Sequence, residues 1–330
     1  MNDTSSRNVS ARDIVRTFDS FWMKPTDLRI LDVVRRCFGV LLFVNIALLW
    51  PDRRLFFGAG SWLPADASKG VLDQDAWNLF SLFSDSPFVV DMALLALFLG
   101  AIGLVLGVRP RITAVLVFLL LTAVQHANMM LFDAEDTVFR LFAFFLIFVP
   151  PWAQLQAASR SLSGDLSGDS SGTSNRSADM QPFPAWPLRL FQLQVCLILF
   201  ITAIQKSDGA EWLDGTAVYF VLRLDDATRY HLPSFMTESA GWLKWMTWSV
   251  PAFEFVVPIL IWWPRARRLS LVLVLVFHIL TDCYLNLHLF HWIMIVGWLT
   301  FVRYDEWGCC RNLLIPGRRR RAGETDGEVR

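Results

Sequence analysis

The chain has 330 residues, of which 54% are hydrophobic and 18% charged, with 27 Phe and 15 Trp; its mean hydropathy is +0.42. An average soluble domain is about 45–50% apolar and about 25% charged, so these figures exclude an ordinary soluble enzyme. Thirty basic and thirty acidic residues cancel, so net charge names no partner and its distribution must be read instead.

The opening MNDTSSRNVSARD is polar, and no cleavable apolar region follows it. Ile14, Val15, Phe18, Phe21 and Trp22 then recur at helical spacing among Arg and Asp, which predicts an amphipathic helix in the membrane interface. Residues 1–27 are thus read as a cytoplasmic N-terminal segment. Eight apolar runs follow, enough for an all-α transmembrane bundle at ~20 residues per crossing. The first four cover roughly 31–50, 88–108, 111–130 and 137–152; the second four cover roughly 187–205, 246–263, 268–285 and 287–302. The fourth and eighth are short, and tilting or shielding by neighbours would accommodate them. Between the two sets, the Ser/Gly/Asp-rich stretch within 156–182 has no apolar period and reads as a flexible loop. The membrane region is read as 28–307, and 308–330, with its Arg318–Arg321 run, as a basic disordered tail. That basic run suits anionic lipid heads better than nucleic acid.

Lys and Arg set the orientation. Twenty-two fall in the N-terminal segment, the 2–3, 4–5 and 6–7 loops and the tail. Seven fall on the other side: Arg53, Arg54, Lys69, Lys206, Arg223, Arg229 and Lys244. Both termini are therefore expected in the cytoplasm, with the long 1–2 and 5–6 loops outside. The five cysteines lack disulfide or zinc-ligand spacing; Cys309-Cys310 is either a lipidation site or plain sequence.

Charges at membrane depth cost about 2.5–3.5 kcal/mol each on insertion scales, so each asks for a reason. DAEDTVFR (133–140) places Glu135 and Asp136 at a helix start and Arg140 four residues after Asp136, giving either an internal ion pair or a polar pocket wall. Lys206 ends the fifth run, with Asp208, Glu211 and Asp214 close behind. It is either a snorkelling lysine paired with one of these acids or a desolvated amine serving as a base. The DGT of 214–216 reads as a turn or cap. Glu254 lies mid-run between prolines. His278 and Asp282 share a helical face, as an interhelical hydrogen bond, a metal half-site or a proton relay, and His288 and His291 open the last run. No phosphate loop, nucleophile elbow, nucleic-acid module or repeated half indicating a transporter is seen.

Four stretches in order, FLGAIGLVLGVRPRIT (98–113), DAEDTVFRLFAFFL (133–146), LQVCLILFITAIQKSDGAEWLDGTAVYF (193–220) and PAFEF…VFHILTD (251–282), resemble the horizontally transferred transmembrane (HTTM) family. That family is the membrane part shared with vitamin K-dependent γ-glutamyl carboxylases and sporulation-delaying toxin maturation proteins. The resemblance covers about residues 25–307, and K-x-x-x-x-x-W-x-x-G (Lys206, Trp212, Gly215) is its most specific element. It implies that Lys206 matches the carboxylase lysine that deprotonates reduced vitamin K, after which oxygen addition generates the base that removes a glutamate γ-proton. On that reading the cofactors are a menaquinol or vitamin K-type quinol, O2 and CO2, and the partners are membrane lipid, the quinol and a small peptide, with no nucleic acid. Glu135, Asp136, Arg140, Trp212, Asp214, Glu254 and His278 would support the cavity, and no metal is expected. Two departures stand out. Ala134, Glu135 and Asp136 replace the carboxylase Asn-His pair, and a carboxylate cannot act as neutral imidazole does. The large lumenal domain that captures propeptides is also missing from the sequence. The expected location is a bacterial cytoplasmic membrane. A membrane factor that binds, matures or exports a peptide or lipid is the competing expectation.

Overall fold

The computed structural model describes residues 11–57, 61, 87–128, 133–158, 183–225, 227–230 and 233–304. The Ser/Gly-rich stretch from 159 to 182, the tail with Cys309, Cys310 and Arg318–Arg321, and Lys69 lie outside the described residues. Among those described, the architecture is all-helical, and the only extended pairings are isolated bridges at Pro25–Pro184 and Thr228–Leu285.

Helix α1 (Ala11–Met23) precedes α2 (Ile30–Leu49), the single turn α3 (Arg53–Phe56), α4 (Pro87–Leu106), α5 (Pro110–Ala127) and α6 (Ala134–Leu146). The second half holds α7 (Trp186–Ser207), the short α8 (Ala210–Asp214), α9 (Ala217–Val221) and α10 (Ser234–Thr237), then α11 (Ala240–Leu260), α12 (Arg267–Tyr284) and α13 (Phe290–Trp298), which runs on as a 3₁₀ turn, Leu299–Phe301. Each of the eight apolar runs contains a helix. Two boundaries move for local reasons. Pro150 and Pro151 cannot continue a helix, so α6 stops at Leu146. Ser239 accepts a hydrogen bond from the Trp242 N–H at 3.4 Å and starts α11 six residues before the apolar run.

By length and apolarity, three of the described helices suffice to cross a bilayer: Phe88–Leu106, Pro110–Ala127 and Trp186–Ser207. The others are shorter or carry charge. α2 buries Asp32 and Arg35 in its first turns, and α6 spans 13 residues, about 20 Å of rise.

α13 occupies the centre. It packs against α2, α6, α7 and α12, and buries His291, Ile293, Met294, Val296, Gly297 and Trp298. Six of its nine residues are buried against neighbouring helices, which is how so short an apolar helix is accommodated, while Trp292 stays exposed. Gly297 makes the crossing possible: a Cβ there would stand 2.4 Å from Val195 Cγ1 and 2.7 Å from Phe142 Cζ. On the far side, α2, α4 and α5 approach closely through small residues. A Cβ at Gly39 would meet the Ala101 carbonyl at 2.9 Å, the close backbone approach expected between helices in lipid. Gly107 lies between α4 and α5 at φ +74, a conformation costly for other residues, and the buried Arg35 guanidinium, paired with Asp32, packs against it.

α1 presents one face to the bundle and one away from it. Phe21 stacks under the Arg189 guanidinium (4.6 Å) and beside Trp262 (5.6 Å), while Val15 and Phe18 are exposed.

Candidate functional site

Helical side chains lean toward the N-terminus of their own helix. α7 and α11 pack against one another, and Lys206 lies in the last turn of α7. Its stem therefore points back along the bundle, away from the acids that follow it. Glu254 leans toward Lys206 from α11. The two meet with Nζ 2.5 Å from Oε1 and 2.7 Å from Oε2. The Lys206 side chain keeps 22% of its exposure and that of Glu254 only 6%. The expected partners Asp208, Glu211 and Asp214 are thus not the ones used, and the lysine does not snorkel outward. Its partner lies 48 residues away on another helix.

The segment after Lys206 folds back over it. Trp212 N donates to the Gly209 carbonyl at 3.1 Å, opening the single turn α8. That turn brings the Trp212 ring to 5.3 Å from Lys206 Nζ, within range of a cation–π contact. Asp214 sits apart from the amine. Its Oδ1 accepts from Thr216 N at 2.9 Å and from Thr216 Oγ1 at 2.6 Å, forming the turn that DGT leads one to expect. Gly215 lies at φ +85, and a Cβ there would meet Lys244 Cγ at 2.3 Å. Each member of the Lys-Trp-Gly element therefore has a geometric reason. The amine pairs inward, the indole covers it, and the glycine turns the chain beneath Lys244.

The first-half candidates gather elsewhere. Glu135 is buried, and its Oε2 accepts from Leu289 N at 2.6 Å, capping α13. Asp136 turns back to its own helix start and accepts from Asp133 N at 3.2 Å, completing a capping box. Because that carboxylate is committed to the cap, Arg140 does not pair with it. The Arg140 Nη1 lies 3.3 Å from His126 Nε2 on α5. No hydrogen bond or ion pair among the described residues links Glu135, Asp136 or Arg140 to Lys206.

His278 pairs with His291, Nδ1 to Nδ1 at 2.9 Å, joining α12 to α13. Asp282, one turn beyond His278, lies 3.5 Å from Arg229 Nη1 through its Oδ2. Among the described residues no group of three His, Cys, Asp or Glu is arranged to hold a metal ion. Sequence reasoning named Lys206, Glu254 and His278 but missed their partners. The usable signal was that charges at membrane depth pair with one another, which makes the fifth run's lysine and the sixth run's glutamate complementary.

The HTTM domain model matches residues 23–307. The chain belongs to the HTTM family. It is therefore an integral membrane protein of the carboxylase-associated family. The match takes in the whole Lys206–Trp212–Gly215 element and both helices of the Lys206–Glu254 pair. No solved structure matches the chain.

Proposed function

We propose that this HTTM protein is an eight-span enzyme of a bacterial cytoplasmic membrane, with both termini inside, in which Lys206 and Glu254 act together as a proton acceptor for a lipid-borne quinol. The observation that carries the reading is the Lys206–Glu254 contact, with its amine partly exposed and its carboxylate enclosed. The asymmetry gives the two groups different tasks. An ammonium has three donors, and two of the Lys206 contacts are to Glu254. Passing one proton from Nζ to the carboxylate leaves a neutral amine at the accessible end, ready to take a hydroxyl proton. The pair has zero net charge before and after that internal transfer, so no isolated charge is left in the membrane interior. Trp212 closes one side of the amine and limits water there.

A bound quinol would supply an acidic hydroxyl and, with O2, the oxidative driving force for CO2 addition to an acceptor. The residues suited to hold its ring are Trp212 beside the amine and Lys206 itself. The 22-to-7 distribution of Lys and Arg supports an extracytoplasmic opening of this site. With Glu135 and Asp136 engaged in capping, no second base stands where the carboxylases have their Asn-His pair. The acceptor we assign is a small peptide. The competing reading, a non-enzymatic factor for maturation or export, pairs Lys206 with an acid of its own loop, and the contact to Glu254 argues against that arrangement.

The test is quinol epoxidation by the purified protein in nanodiscs with menaquinol or phylloquinol. Wild type should turn over, and Lys206→Ala should lose turnover while remaining folded. Absence of turnover in a folded wild type with either quinol removes the quinol-linked mechanism and leaves the maturation factor.

A further inference from the structure

Between α12 and α13 lies a second buried polar cluster that the Lys206 chemistry does not use. α12 buries one residue every fourth position, Ser270, Val274, His278 and Asp282, and three of these four are polar. Its other faces are apolar and exposed, as at Val272, Leu275 and Ile279. Polar side chains, His among them, hydrogen-bond across helices in lipid, but such a bond satisfies its groups, and among the described residues three buried polar atoms of this cluster are left without a partner.

His278 is 1% exposed and His291 3%. A neutral imidazole carries one N–H and one lone pair. With the two Nδ1 atoms 2.9 Å apart, one ring donates to the other. The donating ring is then bare at Nε2, and the accepting ring is protonated at Nε2. Neither Nε2 has a hydrogen-bond partner among the described residues, nor has Asp282 Oδ1, and all three atoms are buried. Each unsatisfied buried group costs about 1–3 kcal/mol, so as a mere strut the cluster is an expensive one. It also has direction. Arg229, whose side chain is 39% exposed, faces Asp282. The charges of Asp282 and Arg229 lie near enough to act on His291. The cluster thus gathers a surface-facing arginine, a carboxylate and two imidazoles, with direct contacts between Arg229 and Asp282 and between His278 and His291.

We propose that His291 and His278 form a proton relay between Asp282 and the bundle interior. A proton delivered by a water molecule to His291 Nε2, on the side where the Asp282 carboxylate favours positive charge, makes that ring cationic. Its Nδ1 proton crosses to His278 Nδ1, and the cationic His278 releases the proton on its own Nε2 to a second water molecule at the inner end. One proton enters, one leaves, and both rings finish neutral with their tautomers exchanged; the reverse passage, or rotation of the rings, resets them. The Nδ1–Nδ1 contact is the arrangement that leaves an Nε2 free at each end.

The test is nitrogen-15 NMR of the full chain in nanodiscs, labelled at the histidine rings. His126→Gln, His231→Gln and His288→Gln together remove every other histidine and leave the pair intact; difference spectra of the three single variants against wild type give the same assignment should the triple variant misfold. A working relay exchanges tautomers, so the Nδ1 and Nε2 signals of each ring move toward one another, and Asp282→Asn slows the exchange and separates them. Two results overturn the proposal. One is a fixed pair, with one ring protonated only at Nδ1 and the other only at Nε2, unchanged across about pH 5–8. The other is the absence of any coupling between the two Nδ1 atoms.

Discussion

Lys206 and Glu254 account for each other. Either charge alone at this depth would be costly, and removing one partner of a buried pair strands the other. Glu254→Ala should therefore lower stability by about 2–4 kcal/mol, toward the lower end of the range for buried pairs because the lysine is partly exposed. Lys206→Met combined with Glu254→Met should recover most of that loss. Thermal unfolding in detergent of the two singles and the double completes the cycle, and simple additivity would show that the pair is uncoupled. Both residues stand out in the sequence as charges inside apolar runs. Their pairing does not, because three acids lie closer along the chain and local pattern does not say which helices touch. The direction in which helical side chains lean selects the distant partner over the near ones. Asp136 and Arg140 show the same limit. Their four-residue spacing suggests an ion pair, but the cap at Asp133 claims the carboxylate and His126 takes the arginine.

At the scale of elements, α13 is where the two halves of the bundle meet. Gly297→Ala should cost about 1–3 kcal/mol, because the added methyl falls inside the contact distance of Val195 and Phe142. Val195→Ala in that background should return part of it, since it removes the nearer clash; a melting temperature unaltered by Gly297→Ala would mean that the helices separate without penalty. The start of the same helix depends on Glu135. Glu135→Ala removes the acceptor of the Leu289 N–H and should destabilise by about 1–2 kcal/mol, whereas Glu135→Gln, which keeps an oxygen there, should lose less. The existence of the long helices is legible in the sequence because apolar runs of bilayer length are unambiguous. The single turns α8, α9 and α10 are not, since each depends on a cap or turn made with neighbouring segments. Trp248 Nε1 donating to the Leu213 carbonyl at 3.3 Å, and Thr247 Oγ1 accepting from Val218 N at 3.2 Å, are such ties.

For the whole molecule, orientation follows from charge. The 22-to-7 split of Lys and Arg places the 2–3 and 6–7 loops inside and the 5–6 loop outside under the eight-span arrangement proposed above. In a cysteine-free background, Asp225→Cys should label with an impermeant maleimide added to intact cells. Arg109→Cys and Arg265→Cys should label only after permeabilisation, and the reverse pattern would invert the assignment. The exposed Val15 and Phe18 of α1 fit a helix lying in the inner interface, consistent with that orientation.

The most direct measurement is quinol turnover in nanodiscs by wild type, Lys206→Ala and Glu254→Gln side by side, with folding checked by circular dichroism and size-exclusion elution. Wild type should turn over, Lys206→Ala should not, and Glu254→Gln should lose at least about tenfold, equivalent to about 1.4 kcal/mol of barrier. A Lys206→Ala protein that is folded and turns over as wild type does would contradict it.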